Sequence, residues 1–181
     1  MMHLWETKKD STLLYDGKII QLYKDTVTLE NNTDATREYI HHSGGVSIAA
    51  LTPEEEIYLV KQFRYPYHKV VLELPAGKRN EGEDPLACGK RELEEEVGLI
   101  AAKYTSLGQL YPTPAYVDEI IHLYLAEDLS PTKPHLDPDE FLDVVKLPLR
   151  EAVQMVLRGE ICDAKTQTGL LKLWVLRHDT V

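Results

Sequence analysis

Cysteine is nearly absent from this chain: Cys88 and Cys162 are the only two among 181 residues. Two thiols cannot build the disulfide framework that staples small secreted domains. Positive charge is also short, with 20 Lys and Arg against 30 Asp and Glu, a net charge of -10. That balance disfavours nucleic acid backbones and anionic membranes as partners, and it means that an anionic substrate needs metal ions as a bridge. No apolar run is long enough to span a bilayer and no secretory signal is visible, so a cytoplasmic location is expected. Repeats and low-complexity segments are missing too. What remains, 43% hydrophobic and 28% charged, suffices to bury one core, so the chain reads as one domain with a small appendage.

The most informative stretch is Gly77 to Leu99, which ends in the block Arg91-Glu92-Leu93-Glu94-Glu95-Glu96. Asp84 before Pro85 is a helix start, a capping side chain next to a first-turn residue whose missing N–H costs nothing. Gly98 is the matching stop, so the pattern predicts a helix over residues 85–97. Leu86, Gly89, Leu93 and Val97 share one stripe of it, whereas Glu92, Glu95 and Glu96 gather on another side. Carboxylates at i and i+4 repel by a few tenths of a kcal/mol per pair unless a cation sits among them. Oxygen donors with no His or Cys interleaved suit Mg²⁺ or Mn²⁺ and argue against zinc. Mg²⁺ takes one or two carboxylates plus substrate phosphate oxygens, which points to phosphate chemistry.

The full spacing is Gly, five residues, Glu, seven residues, Arg-Glu, an aliphatic, any residue, Glu-Glu, any residue, Gly, an aliphatic. Gly77, Glu83, Arg91, Glu92, Leu93, Glu95, Glu96, Gly98 and Leu99 fill it, a match expected by chance on the order of once in ten million such chains. By this box the chain resembles the Nudix hydrolases, which cleave nucleoside diphosphates linked to another moiety. Gln62-Phe63-Arg64-Tyr65-Pro66, Glu73-Leu74-Pro75-Ala76-Gly77 and Pro114 extend the likeness to the ADP-ribose pyrophosphatase branch. Ala115 departs from it, standing where that branch usually has glycine.

The resemblance implies hydrolysis of ADP-ribose to AMP and ribose 5-phosphate, with other nucleoside diphosphate sugars or oxidised nucleoside diphosphates as alternative substrates and a non-catalytic regulator as a third reading. It implies metal ligation by Glu92, Glu96, the Ala76 carbonyl and Glu95, the last directly or through water. Arg91 and Glu83 would orient the box. The base would come from the acidic loop Asp137-Pro138-Asp139-Glu140, with Glu140 preferred and Asp139 behind it. Substrate contacts are expected from Arg64, whose planar guanidinium matches phosphate oxygens, and from Glu73, Pro114, Glu119 and Tyr15. Members of the branch are homodimers in which an N-terminal hairpin reaches the partner's site, and Trp5, Tyr15 and Tyr23 give that region aromatic surface.

Along the chain, residues 1–43 read as a hairpin with a short arm before it: a turn at Tyr15 to Lys18, a strand over Ile19 to Leu29, and a return over Arg37 to His41. Residues 44–181 read as the hydrolase domain. Its expected strands are Val46 to Leu51, Ile57 to Phe63, Val70 to Leu74, Tyr104 to Leu110, Ile120 to Ala126 and Val144 to Leu147. A helix from Leu149 to Arg158 and another capped by Asp163 and running to about His178 follow. Strands with three helices make an α/β layered domain; the resemblance specifies an α/β/α sandwich around a mixed sheet.

Overall fold

The structure, a computed structural model, describes residues 4–138 and 140–178. The chain divides into two compact units: the described residues up to Ser43 together with Tyr111–Glu119, and Gly44–Leu110 together with the described residues from Ile120 onward.

In the first unit, strands β1 (Thr7–Asp16), β2 (Gln21–Thr28) and β3 (Asp34–His41) form an antiparallel meander in the order β1-β2-β3. The expected hairpin is β2 and β3; the arm before it is a third strand, β1. No residue of β1 is buried on either face, so no alternation of apolar and polar residues marks it in the sequence. Segment 111–119 continues the pairing of β3, with Ile40 donating to the Tyr116 carbonyl at 2.8 Å and Asp118 donating to the Ile40 carbonyl at 3.1 Å. His41 Nδ1 lies 2.6 Å from the Asp118 carboxylate.

The second unit holds seven strands: β4 (Gly45–Ala50), β5 (Glu56–Arg64), β6 (Lys69–Glu73), β7 (Ala76–Lys78), β8 (Leu99–Leu110), β9 (Ile121–Pro131) and β10 (Leu142–Pro148). They make a four-stranded sheet in the order β7-β4-β9-β8 and a three-stranded one in the order β10-β5-β6. Strands β4 and β9 run parallel and their other neighbours antiparallel, which makes the larger sheet mixed. The helices are α1 (Pro85–Glu92), continued by a π-helical turn over Leu93–Val97, α2 (Leu149–Leu157) and α3 (Ala164–His178). Strand β4 shows why the layers form. Val46, Ile48 and Ala50 pack into the cluster that holds Cys88 and Leu93 of the α1 segment, whereas Ala49 and Leu51 pack into the one that holds Leu149 of α2 and Leu170 of α3. A strand buried on both faces is apolar along most of its length, as β4 is apart from Ser47, and each fully buried Leu or Ile contributes about 1.5–3 kcal/mol.

One tie carries the fold into the site. Asp163 caps α3, accepting from Thr166 N–H at 2.9 Å and from the Thr166 hydroxyl at 2.6 Å. The same Thr166 oxygen, fully buried, accepts the Leu74 N–H at 2.8 Å. The end of β6 is thereby fixed one residue before the Pro75-Ala76 turn.

Candidate functional site

Helix α1 starts as the sequence indicates: Asp84 accepts the Ala87 N–H at 3.0 Å and Pro85 takes the first helical position. It stops at Gly98, whose φ of +70° falls in the left-handed region that glycine tolerates at little cost. The last turn is wider than α-helical, the Gly98 N–H reaching back to the Leu93 carbonyl as well as to that of Glu94. Such a bulge offsets the residues after it from the straight helical register and is frequent at functional sites.

This segment places Glu92 and Glu96 in the protein interior, 8% and 2% exposed. Burial pushes the Glu92 carboxyl up to about 7, against the favourable pull of Arg91, with Glu95 and Glu140 adding repulsion. Burial likewise pushes Glu96 up to about 8, although it accepts the Ala76 N–H at 3.0 Å; Glu140 and Glu92 add to the rise. Arg91 holds the rest of the box together. Its guanidinium lies 2.8 Å from Glu92, donates to Glu95 at 2.8 Å and to Glu83 at 3.1 Å, and Glu83 also accepts the Asn80 N–H at 2.8 Å. Among the described residues, no three His, Cys, Asp or Glu side chains already converge on a metal position, as expected where like charges repel and Arg91 occupies two of the three glutamates.

The donor chemistry nevertheless fits a hard divalent cation. It consists of oxygens alone, two of the carboxylates are desolvated, and Gly77 leaves room for one of them: a Cβ there would lie 1.9 Å from the Glu92 carboxyl carbon. Gly77→Ala is therefore expected to expel that carboxylate and lower kcat by at least about a hundredfold, the scale of a misplacement of about 1 Å. Circular dichroism should show the fold retained. A variant with half the wild-type kcat would contradict the assignment of Glu92.

The loop after β9 lies over the end of the α1 segment. Thr132 donates to the Gly98 carbonyl at 2.8 Å, and His135 donates to the Glu95 carbonyl at 3.0 Å. The loop brings Glu140 within electrostatic reach of Glu92 and Glu96. Glu140 accepts from the Gln62 side chain at 3.3 Å. Burial raises its carboxyl above the ordinary range, and the Gln62 hydrogen bond works in the opposite direction. Asp139 lies outside the described residues.

Arg64, at the end of β5, makes a bidentate pair with Glu73 of β6 at 2.6 and 2.7 Å. Glu73 is 2% exposed. Burial alone would raise its carboxyl, but Arg64 and Lys165 together hold it below the ordinary range. Glu73 thus faces two cations of its own chain. Ala76, Glu92, Glu95, Glu96, Arg91, Arg64, Glu73 and Glu140 all belong to the second unit, whereas Tyr15, Pro114 and Glu119 belong to the first. There Tyr15 is exposed on β1, Pro114 lies in the turn at Thr113, and Glu119 is 3.2 Å from His42 Nδ1. Sequence reasoning missed Gln62 as a partner of Glu140, although it stands in the stretch quoted around Arg64. Lys165 it missed without any signal to find it by.

A family model described as NUDIX domain matches residues 41–166. An ADP-ribose pyrophosphatase of Bacillus subtilis (strain 168) is 43% identical over 155 residues, 84% of either chain. A methanol dehydrogenase activator of Bacillus methanolicus is 40% identical over 169 residues, 92% of this chain and 91% of the relative. A crystal structure described as an ADP compounds hydrolase superposes with a TM-score of 0.81 over 97% of both chains at 20% identity, a likeness of fold alone.

Proposed function

We propose that this chain, which belongs to the Nudix hydrolase family, hydrolyses the pyrophosphate of ADP-ribose to AMP and ribose 5-phosphate in a reaction that depends on Mg²⁺, with Mn²⁺ able to use the same donors. The observation that carries the reading is the pair of buried carboxylates, Glu92 and Glu96, one helical turn apart against the Gly77 cradle and electrostatically coupled to Glu140. The likeness to an ADP-ribose pyrophosphatase supports the choice of substrate.

A pyrophosphate is inert because its charged oxygens repel nucleophiles. Glu92, Glu96, the Ala76 carbonyl and Glu95 would hold the divalent ion, which supplies charge neutralisation and a more acidic water. Glu140 takes a proton from the attacking water as its oxygen bonds to phosphorus; the bridging P–O bond breaks and its electron pair leaves with the departing phosphate. Arg91 and Glu83 orient the box. Arg64 holds phosphate oxygens, and Glu73 contributes by holding Arg64. Ala115, in place of glycine after Pro114, bears on loop geometry near the sugar and so on selectivity for ribose over a hexose; other nucleoside diphosphate sugars and oxidised nucleoside diphosphates are the alternative substrates.

Pro114, Glu119 and Tyr15 would meet the sugar and adenine within a homodimer to which the N-terminal region contributes. The exposed Leu4, Trp5, Leu13, Leu14 and Tyr15 of that region support an apolar contact with a second copy. A cytoplasmic location belongs to the same reading, supported by the free thiols Cys88 and Cys162; no helix among the described residues is long and apolar enough to cross a membrane. The test is product analysis of the full chain with Mg²⁺ and ADP-ribose, with light scattering on the same sample. Equal amounts of AMP and ribose 5-phosphate from a dimer are expected. Intact ADP-ribose would refute the activity, and an active monomer would refute the shared site.

A further inference from the structure

Among the described residues of the second unit, Glu73 is the one buried carboxylate that lies outside the box, and it is held from two directions. Arg64 spends Nε and Nη2 on it, at 2.6 and 2.7 Å. From the far end of the sequence, Lys165 of α3 donates to Glu73 Oε2, the oxygen that Arg64 Nη2 also uses, and to Asp163 at 3.0 Å. The Lys165 side chain is 13% exposed, Glu73 3% and Arg64 39%. Arg64 is therefore the member of the trio that reaches solvent. Its Nη1 group makes no hydrogen bond within the described residues, and it lies within electrostatic reach of Glu96.

We propose that Lys165 is a positioning residue for substrate binding: by pinning the buried Glu73 carboxylate, it fixes the Arg64 guanidinium with its Nη1 edge turned to the substrate's phosphate oxygens. The physical need is specific. A flexible arginine side chain loses about 2 kcal/mol of rotamer freedom when it is ordered, and a bidentate carboxylate orders it before the ligand arrives. The carboxylate can do so only if it does not itself turn toward a second partner. Lys165 removes that freedom by donating to Glu73 Oε2, the oxygen that also accepts from Arg64 Nη2, so that the carboxylate is held from both sides. The foot of α3 is anchored in turn, through Asp163 and through the Thr166 hydroxyl that accepts the Leu74 N–H. The same four residues of helix start thus fix both the Glu73 side chain and the backbone leading to Ala76.

The inference rests on Arg64 binding substrate, and a double-mutant cycle separates the two claims. The readouts are KM and kcat for ADP-ribose with Mg²⁺, and the Kd of its α,β-methylene analogue, which is not turned over. Lys165→Met is expected to raise KM and Kd about tenfold or more with kcat within about threefold of wild type, the pattern of lost uniform binding. Lys165→Arg should restore most of the loss. In an Arg64→Ala background, Lys165→Met should add no further defect, because residues that act through one another are not additive. Additive effects, or a Lys165→Met enzyme with wild-type KM and Kd, would overturn the proposal. If Arg64→Ala itself left KM and Kd unchanged, the role given to Arg64 would fall, and this inference with it. Should Lys165→Met not fold, Glu73→Gln/Lys165→Met removes the buried charge along with its partner: a raised KM supports the relay and a wild-type KM overturns it.

Discussion

Glu96→Gln is expected to lower kcat by at least about a thousandfold and at the same time to make the metal-free protein more stable at alkaline pH. The first effect follows because a neutral amide holds Mg²⁺ poorly, so that charge on the pyrophosphate is left uncompensated. The second follows from burial. At 2% exposure, the carboxyl titrates near 8 in the folded chain against 4.5 ordinarily, so between those values the folded state holds a proton that the unfolded state has released. The stability linked to that proton is fully present below about pH 4.5 and is lost as pH rises through about 8. Glutamine carries no such titration, and its oxygen can still accept the Ala76 N–H. In EDTA, the wild-type Tm should fall more steeply between pH 6 and pH 9 than that of the variant, with the variant a few degrees higher at pH 9. Equal slopes would show that the interior tolerates the Glu96 charge, and a variant with more than a tenth of the wild-type kcat at saturating Mg²⁺ would remove Glu96 from the ligands.

Glu140→Gln is expected to lower kcat by about a hundred- to ten-thousandfold, the range for loss of a general base, with KM and metal affinity nearly unchanged. Glu140 sits at the end of a loop that the fold does not need for its core, and its carboxyl is held above the ordinary range by burial. A group so shifted gives kcat an acidic limb: activity rises with pH as the carboxyl loses its proton, and the limb lies above that of an ordinary glutamate. The variant should lose that limb. Asp139→Asn, which lies outside the described residues, serves as the control and should do much less. A larger chemical-step defect in Asp139→Asn during single turnover would move the role to that residue, and no defect in either would return it to Glu95.

Local chemistry explains what could be read from the sequence. Asp84, Pro85 and Gly98 mark the ends of the box helix because caps act over a few residues, and the observed bonds are those the residue types imply. The wide turn over Leu93–Val97 was not readable, since an apolar stripe at spacings of three and four does not separate a straight helix from one with a single expanded turn. Strand β1 escaped because it buries no residue on either face, and hydrophobic patterning reports only elements that bury one. The descent of the loop at Thr132 and His135 onto the helix end uses backbone N–H and carbonyl groups, which every residue carries. Arg64, Glu73 and Lys165 show the longest gap. Arg64 and Glu73 are singled out by the family resemblance, but Lys165 reads alone as a surface charge, and its contact with Glu73 joins positions 92 residues apart.

The central claim, an ADP-ribose pyrophosphatase working through the buried carboxylates of the box, is tested most directly by kcat/KM across a substrate panel with Mg²⁺. ADP-ribose, ADP-glucose, GDP-mannose, NADH and 8-oxo-dGDP would be compared for the wild type and for Glu96→Gln. The account predicts that ADP-ribose leads by at least about tenfold, or about 1.4 kcal/mol of preferential transition-state binding, and that every activity collapses in the variant. A higher kcat/KM for GDP-mannose or any other member of the panel, or turnover that survives in Glu96→Gln, would contradict it.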